Sequence, residues 1–385
     1  MINNTQLKLL SIGFIGGSLN SAVGYAHYVA CKMDNKWSLE AGFFSNDKTR
    51  NQDTAELYGI SPDRLYNNWQ DLLMREKGRL DAIVILMPTP MHFEIVIVGL
   101  NEGYAVICEK SLATNSIEAE KILEIQTREK SFLSVIYNYS GYPMIRELRN
   151  KIRKGELGRI LHFQAEMPQE GYIRVNSLGN KPIPQSWRLS DGSIPTIHLD
   201  LAVHLHQLVY YLIEQKPIKV ISDQDSYGWF PEVVDNVNCL CRYSSGIMGN
   251  MWFSKSALGH RNGLKLRIYG ERGSAEWYQA CPEELVLAYS DGRREIVDRA
   301  ASVEIANLKR YNRFKAGHPA GFIEAFSNLY SDIADSLQHY KSTGQFKSDN
   351  VFGAELSYDG LQFLEAMTHS VNSKTWVTVG GEKND

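Results

Sequence analysis

Residues 7–24 read LKLLSIGFIGGSLNSAVG, and this stretch decides how the rest of the chain is interpreted. An apolar run over residues 7–15 ends in a glycine cluster, and apolar residues then recur at helical spacing from Val23 to Ala30. A continuous apolar run followed by glycine predicts a buried strand and a tight turn. The stretch therefore predicts a strand, a glycine turn and a helix in succession.

The same alternation continues beyond this stretch. Further strands are predicted at residues 38–44, 81–86, 105–108 and 132–136, with helices at residues 52–58, 92–101 and 117–130. Because these strands are apolar on both faces, they indicate a parallel sheet that helices cover on both sides. After residue 138 the pattern changes to alternating and β-branched segments, which predict a mostly antiparallel sheet. The fold class is α/β, with a domain at residues 1–138 and a second domain at residues 139–385.

Composition excludes several classes of protein. Of the 385 residues, 43% are hydrophobic and 22% are charged, and the formal net charge of −3 leaves no basic surface for nucleic acid. The five cysteines are scattered and odd in number, so a disulfide framework is not expected. The first apolar run is too short for a membrane span or a signal peptide. We expect a cytoplasmic protein with reduced cysteines.

The glycine cluster is placed where a dinucleotide pyrophosphate could bind. Glycines between a strand and a helix let phosphate approach the backbone N–H groups at the helix N-terminus. A strict GxGxxG pattern that starts at Gly16 meets Ser18 and Ser21 instead of glycines, so an ordinary tight turn stays an alternative. The second strand ends without an immediate carboxylate. Ser45 and Arg50 in that region could accommodate the 2′-phosphate of NADP, or the loop could be merely solvated.

Two further stretches carry candidate reactive groups. In VICEKSL (residues 106–112), Glu109 and Lys110 follow a parallel strand at the sheet edge where ligands bind. In IPTIHLDLAVHLHQL (residues 194–208), Asp200 and His204 are four residues apart and would share one helix face. The flanking histidines, His198 and His206, would point elsewhere, so one helix cannot bring all four groups to a metal. Metal ligation, core packing and proton transfer are the three alternatives.

The ordered set of motifs resembles the Gfo/Idh/MocA oxidoreductase family, the relatives of glucose-fructose oxidoreductase and inositol dehydrogenase. The resemblance covers nearly the whole chain. Its motifs are the early glycine cluster, MPTPMHFE, EKS, YNYSGYPMIRELR, GELGRI, SWRL, LDLAVHLHQL, LRIYGERGSAEW and GHPAGFIEAFSNLY.

This resemblance implies a Rossmann domain that binds NAD or NADP, followed by an α/β domain whose large open sheet serves substrate binding and oligomerisation. The catalytic residues it implies are Lys110, Asp200 and His204. The cofactor contacts implied or suggested by position are Gly13, Gly16, Gly17, Ser18, Ser21, Ser45, Arg50, Pro88, His92, Glu109 and Lys110. The substrate contacts are Asn138, Tyr139, Tyr142, Trp187, Arg188 and His318, and no metal is expected.

The expected activity is hydride transfer between the nicotinamide and a secondary alcohol of a sugar, sugar derivative or cyclitol. His204 would accept the hydroxyl proton, Asp200 would support it, and Lys110 would stabilise the developing oxyanion. The sequence departs from the family at Ser111, Thr89 and Ala202, which bear on substrate and loop geometry more than on reaction type. The alternatives are a cofactor-bound sensor without turnover and a metal-dependent isomerase or lyase. The expected partners are a small-molecule substrate and a second copy of the chain in a dimer or tetramer, without nucleic acid or membrane.

Overall fold

The structure is a computed structural model that describes residues 9–381. Residues 7 and 8 of the first predicted strand, and the ends of the two predicted domains at residues 1–8 and 382–385, lie outside this range. Its helices are α1 Gly24–Met33, α2 Lys48–Tyr58, α3 Trp69–Glu76, α4 His92–Asn101, α5 Ser116–Arg128, α6 Pro143–Arg153, α7 Val203–Ile213, α8 Phe322–Thr343 and α9 Ala354–Ser373. Its strands are β1 Leu10–Gly16, β2 Trp37–Phe43, β3 Ala82–Leu86, β4 Val106–Glu109, β5 Leu133–Ile136, β6 Ile160–Pro168, β7 Pro217–Asp225, β8 Asn236–Tyr243, β9 Met248–Ser254, β10 Lys265–Gly270, β11 Gly273–Tyr278, β12 Leu285–Tyr289, β13 Arg294–Val297 and β14 Val377–Thr378.

The chain divides into two compact units. The first contains the described residues up to Ala113, Ile117–Gly141 and Phe322–Glu355. The second contains Thr114–Ser116, Tyr142–Gly321 and the described residues from Leu356 onward.

The first unit contains a five-stranded sheet in the order β2-β1-β3-β4-β5, and its strand pairs are all parallel. The strands are apolar on both faces because helices cover both faces, and β3 and β4 are buried throughout. Strand β2 pairs with one edge of β1, and β3 pairs with the other edge, so the strand order reverses at β1. A crevice for ligands is therefore expected outside the carboxyl ends of β1 and β3.

Helix α8 belongs to the first unit, although the sequence assigned residues 322–355 to the second domain. Phe326, Tyr330 and Ile333 of this helix are buried in one core with Ile12 of β1 and Trp37 of β2. The predicted boundary is therefore corrected for this segment. The physical reason is that an amphipathic helix buries its apolar face against whichever core is complementary, and its place in the sequence does not decide which.

The second unit contains a nine-stranded sheet in the order β13-β12-β11-β10-β6-β9-β8-β7-β14. Only β6 and β9 pair in parallel; the other pairs between the described strands are antiparallel. Side chains along β8 alternate between buried and exposed, as expected for a sheet with one open face. Helices α6 and α7 contact strands of this sheet. The predicted α/β class with a mostly antiparallel second sheet is confirmed.

Candidate functional site

The turn after β1 requires glycine at three positions. Gly16 and Gly17 have φ values of +89° and +76°, which residues other than glycine rarely adopt. A Cβ on Gly16 would lie 2.7 Å from the Leu86 carbonyl carbon, and a Cβ on Gly24 would lie 2.3 Å from the Gly17 carbonyl oxygen. The loop therefore passes close to β3, and the start of α1 lies directly against the loop. Gly24 takes the role of the last glycine of a GxGxxG pattern, which allows close packing of the helix on the turn. The spacing of the sequence did not identify Gly24 for this role.

The serines of this turn shape it. Ser21 Oγ accepts hydrogen bonds from the backbone N–H groups of Val23 and Gly24, at 3.4 and 3.2 Å, so it orders the backbone directly before α1. Ser18 is half-buried, and its carbonyl oxygen accepts a 2.8 Å bond from the Ser21 N–H. Gly13 lies earlier, inside β1, where a Cβ would meet Leu80 at 2.7 Å. Gly13 thus serves strand packing and not the turn itself.

The segment after β2 contains the predicted adenosine-ribose residues. Ser45 is half-buried and accepts a 3.1 Å hydrogen bond from the Asp47 N–H through its hydroxyl. Asp47 caps α2 by accepting a 2.9 Å bond from the Arg50 N–H, and the Arg50 side chain is exposed. Buried Asn51 accepts bonds from the N–H groups of Phe44 and Ser45. The carboxylate of Asp47 is thereby engaged at the helix start, and the exposed groups beside it are basic or neutral.

His92 joins the loop after β3 to the loop after β4. Its Nδ1 lies 2.7 Å from the Ser111 carbonyl oxygen and its Nε2 lies 2.7 Å from the Met87 carbonyl oxygen. Burial lowers the pKa of His92, which favours the neutral ring and an N–H directed to one of these oxygens. Because a neutral ring carries one N–H, it donates a hydrogen bond to only one of these carbonyl oxygens, and the ring lies between the two loops. Pro88 is half-buried directly before the short helical turn at Thr89–Met91.

Glu109 and Lys110 occupy the end of β4. Glu109 is buried, its Oε1 lies 2.9 Å from His27 Nε2, and its Oε2 accepts a 3.2 Å bond from the Lys110 N–H. The Lys110 side chain is half-buried, and the Lys110–Ser111 peptide is cis. Both carboxylate oxygens of Glu109 therefore have partners within this unit, and Glu109 supports the Lys110 backbone.

Asn138 and Tyr139 follow β5, at the same end of the sheet as Lys110. Both side chains are buried. Among residues 9–381, Asn138 Nδ2 has no hydrogen-bond partner. A buried amide N–H without a partner is costly, so this group is suited to donate to a bound ligand.

Asp200 lies in the second unit between two cations. Its Oδ2 is 2.7 Å from Lys255 Nζ and also accepts a hydrogen bond from Arg188 Nη1. The Lys255 side chain is only 5% exposed, and its ammonium lies 4.8 Å from the centre of the Tyr172 ring. Tyr172 in turn donates a 3.0 Å bond to the Arg188 carbonyl oxygen. The contacts with Arg188 and Lys255 fix the position of the Asp200 carboxylate.

The neighbouring histidines pack in the core. His198 Nε2 lies 3.1 Å from Gln224 Oε1 and its ring packs edge-on against Phe253, while the His206 ring lies 5.6 Å from that of Phe363. Burial lowers the pKa of each to about 4, so both rings are neutral at neutral pH. Residues 198–202 form a π-helical turn before α7, which differs from the α-helix assumed from the sequence. Core packing is therefore the reading supported for His198 and His206.

The remaining predicted residues of the second unit have different surroundings. His204 is buried in the first turn of α7, and Tyr142 is buried with its ring 5.1 Å from that of Trp277. The Arg188 guanidinium lies 4.4 Å from the Trp187 ring. His318 is exposed, with its ring stacked on Phe314 at 4.6 Å.

The structure thus groups Trp187, Arg188 and Asp200 in the second unit, and His92 with the Lys110–Ser111 segment in the first. Sequence reasoning missed Lys255, which directly follows the apolar strand β9. Its position directly after a strand is the same pattern that identifies Lys110 as a candidate. Among residues 9–381, no group of three or more His, Cys, Asp or Glu side chains could hold a metal ion. No helix of the same range is long and apolar enough to cross a membrane.

Two family models match the chain. One, described as an oxidoreductase family with an NAD-binding Rossmann fold, matches residues 10–137. The other, described as the GFO/IDH/MocA C-terminal domain, matches residues 145–276.

Similar proteins cover the chain from end to end. The oxidoreductase YfiI of Bacillus subtilis is 27% identical over 390 residues, which is 98% of this chain and 99% of the relative. Levoglucosan dehydrogenase of Pseudarthrobacter phenanthrenivorans is 23% identical, over 75% of this chain and 78% of that protein. Among solved structures, an inositol dehydrogenase homolog from Azotobacter vinelandii, complexed with NADH and myo-inositol, aligns with a TM-score of 0.86 and 26% identity. The alignment covers 96% of this chain and 98% of the other.

Proposed function

The chain belongs to the Gfo/Idh/MocA family of NAD-binding oxidoreductases, and from this premise we propose that it is a dehydrogenase of a sugar, sugar derivative or cyclitol. It would transfer a hydride between the nicotinamide and a secondary alcohol. The observation that carries this proposal is the turn of Gly16, Gly17 and Gly24 at the carboxyl end of β1, which only glycine can form. The names of the relatives, a levoglucosan dehydrogenase and an inositol dehydrogenase homolog, support the substrate class.

The residues of the first unit fit a nicotinamide dinucleotide. The turn from Gly17 to Ser21 leads into the N-terminus of α1, whose free backbone N–H groups and positive dipole would attract a pyrophosphate. Ser45 and Arg50 would hold the adenosine ribose, and Asn138 Nδ2 is a buried donor that a bound ligand would satisfy. When bound, the nicotinamide supplies the hydride acceptor, and the protein supplies orientation and electrostatics.

The proton chemistry is assigned to Lys110, His204 and Asp200. Oxidation of an alcohol releases the hydroxyl proton, and His204 would accept it at a ring nitrogen. Lys110 would donate a hydrogen bond to the same oxygen and stabilise its developing negative charge. Asp200, paired with Arg188 and Lys255, is suited to orient the substrate or the imidazole.

The first experiment is a screen of sugars and cyclitols with NAD and NADP, followed by the absorbance of the reduced nicotinamide. His204→Asn and Lys110→Met should each lower the turnover number about 100- to 10,000-fold. The dissociation constant for NADH should change little in both variants. Because the two groups serve one proton-transfer step, the double variant should lose much less than the product of the single effects.

Three outcomes would contradict the proposal. Failure to bind NADH or NADPH at millimolar concentration would remove the dehydrogenase function. Tight NADH binding without turnover of any polyol would favour the alternative of a cofactor-bound sensor. Loss of activity with a chelator and recovery with zinc would favour the metal-dependent alternative.

The choice of cofactor, the assembly and the location complete the proposal. The exposed Arg50 favours acceptance of NADP beside NAD. The open face of the nine-stranded sheet, with Leu240 and Met248 each 38% exposed, supports a dimer or tetramer, which analytical ultracentrifugation would test. The cytoplasmic location is proposed from the cysteine pattern and can be checked by cell fractionation.

A further inference from the structure

Three buried polar side chains of the first unit form a connected group. His27 of α1 has its Nε2 2.9 Å from Glu109 Oε1 and its Nδ1 2.8 Å from the Tyr330 hydroxyl. His27 and Tyr330 are almost fully buried, and Glu109 is buried as well. The His27 ring also packs edge-on against Phe326, with centroids 4.8 Å apart. Buried polar groups must be compensated by hydrogen bonds, and here the three side chains compensate one another.

The hydrogen bonds have one consistent direction. Burial raises the pKa of Tyr330 well above its ordinary value, so its hydroxyl keeps the proton and can donate it to His27 Nδ1. His27 Nε2–H then donates to Glu109 Oε1, as a carboxylate accepts only. The second oxygen, Glu109 Oε2, accepts the backbone N–H of Lys110. The group therefore runs from α8 through α1 to the backbone of Lys110.

The group also joins the parts of the unit that matter for the proposed chemistry. Helix α1 begins at Gly24 against the glycine turn, and Glu109 is the last residue of β4, directly before Lys110. A buried carboxylate needs a fixed partner, because an uncompensated one would take up a proton or attract the nearest cation. The nearest cation in sequence is the Lys110 ammonium. A stable partner for Glu109 therefore also protects the orientation of Lys110.

We propose that His27 is a positioning residue for the dehydrogenase reaction, acting through Glu109 on Lys110. This rests on the proposed function, because Lys110 is taken as the group that contacts the substrate oxygen. In this proposal Glu109 does not contact the cofactor, as the sequence had suggested, but connects His27 to Lys110.

The experiment compares His27→Gln, Glu109→Gln and their double variant with Tyr330→Phe as the matched control. Tyr330→Phe disturbs the same buried group but leaves the contact between His27 and Glu109 in place. We expect His27→Gln to lower kcat about 10- to 100-fold, by analogy with the loss of a hydrogen-bond partner that orients a metal ligand. KM, the NADH dissociation constant and the melting temperature should stay close to those of Tyr330→Phe. The double variant should be no slower than Glu109→Gln alone, because the two residues act in series.

A second readout does not depend on turnover. The rate at which an amine reagent labels Lys110, measured by mass spectrometry relative to exposed Lys77, should change in His27→Gln and Glu109→Gln but not in Tyr330→Phe. If no polyol is oxidised by the wild type, the proposed function fails, and the labelling still decides the link from His27 to Lys110. Equal kcat values and equal labelling rates in His27→Gln and Tyr330→Phe would show that His27 only packs. Multiplying effects in the double variant would show that the residues act independently.

Discussion

Substitution of Gly24 by alanine tests the glycine turn most directly. The new Cβ would lie 2.3 Å from the Gly17 carbonyl oxygen and 2.5 Å from its carbonyl carbon. Both atoms belong to the backbone, so no side-chain rotation can relieve the contact. The start of α1 would have to move away from the turn by about 1 Å to restore van der Waals separation.

Two opposing effects set the magnitude. Alanine is a better helix former than glycine by about 1 kcal/mol, which favours the variant. Inserting a methyl group into a filled space costs about 1 to 3 kcal/mol, and the rigid backbone neighbour places this case at the upper end. We expect a net loss of about 1 to 2 kcal/mol in the free energy of unfolding. The displaced N–H groups of the helix start should weaken NADH binding about 10- to 100-fold, which is about 1.4 to 2.7 kcal/mol.

Gly171→Ala is the matched control, because a Cβ at Gly171 would have no heavy atom within 4 Å. Both variants would be compared with the wild type by denaturant unfolding and by calorimetric titration with NADH. If Gly24→Ala bound NADH as tightly as Gly171→Ala and unfolded at the same denaturant concentration, the proposed role of this turn would be refuted.

Three further predictions concern other parts of the two units. Arg50→Ala should weaken NADPH binding more than NADH binding in fluorescence titrations, because the exposed guanidinium would pair with a 2′-phosphate; equal effects would contradict this. Lys255→Met should lower both kcat/KM and the free energy of unfolding, the latter by about 1 to 3 kcal/mol, since it leaves Asp200 with one cation fewer. Lys255→Arg should restore part of each loss, and a Lys255→Met variant as stable and active as the wild type would count against the pairing. Stability should also fall as the pH is lowered from about 6.5 to about 4, because the unfolded chain protonates His198 and His206 near their ordinary pKa while burial keeps both folded pKa values at about 4. Each histidine contributes up to about 3 kcal/mol to this loss; urea unfolding of His206→Leu should show a shallower pH dependence, and an unchanged dependence would contradict the assignment.

Much of the first unit could be predicted from local sequence. Strands β3, β4 and β5 are short apolar runs between helical patterns, and such runs form buried parallel strands wherever helices cover both faces. The position of Lys110 at a strand end followed from the same pattern. Strands β12 and β13 were not predicted, because they are only five and four residues long and so carry few residues from which a period of two can be recognised.

The partners of the candidate site residues could not be predicted in this way. Lys255 reaches Asp200 across 55 positions of sequence, and His27 reaches Glu109 across 82. Neither pair has a spacing that a helix or strand would bring together, so no local rule identifies it. Gly24 was equally hidden, because its need for glycine comes from the carbonyl of Gly17 and not from its own backbone conformation.

The sequence by itself determined the alternation of strands and helices, the glycine turn and the family to which the chain belongs. These features depend on residue periodicity and on backbone freedom, which act over a few neighbouring residues. The tertiary structure alone decided that α8 joins the first core, that Asp200 is held between Arg188 and Lys255, and that His198 and His206 are neutral core residues. Those outcomes depend on burial and on contacts between distant segments, because only the packed chain defines which charges are compensated and which polar groups are removed from water.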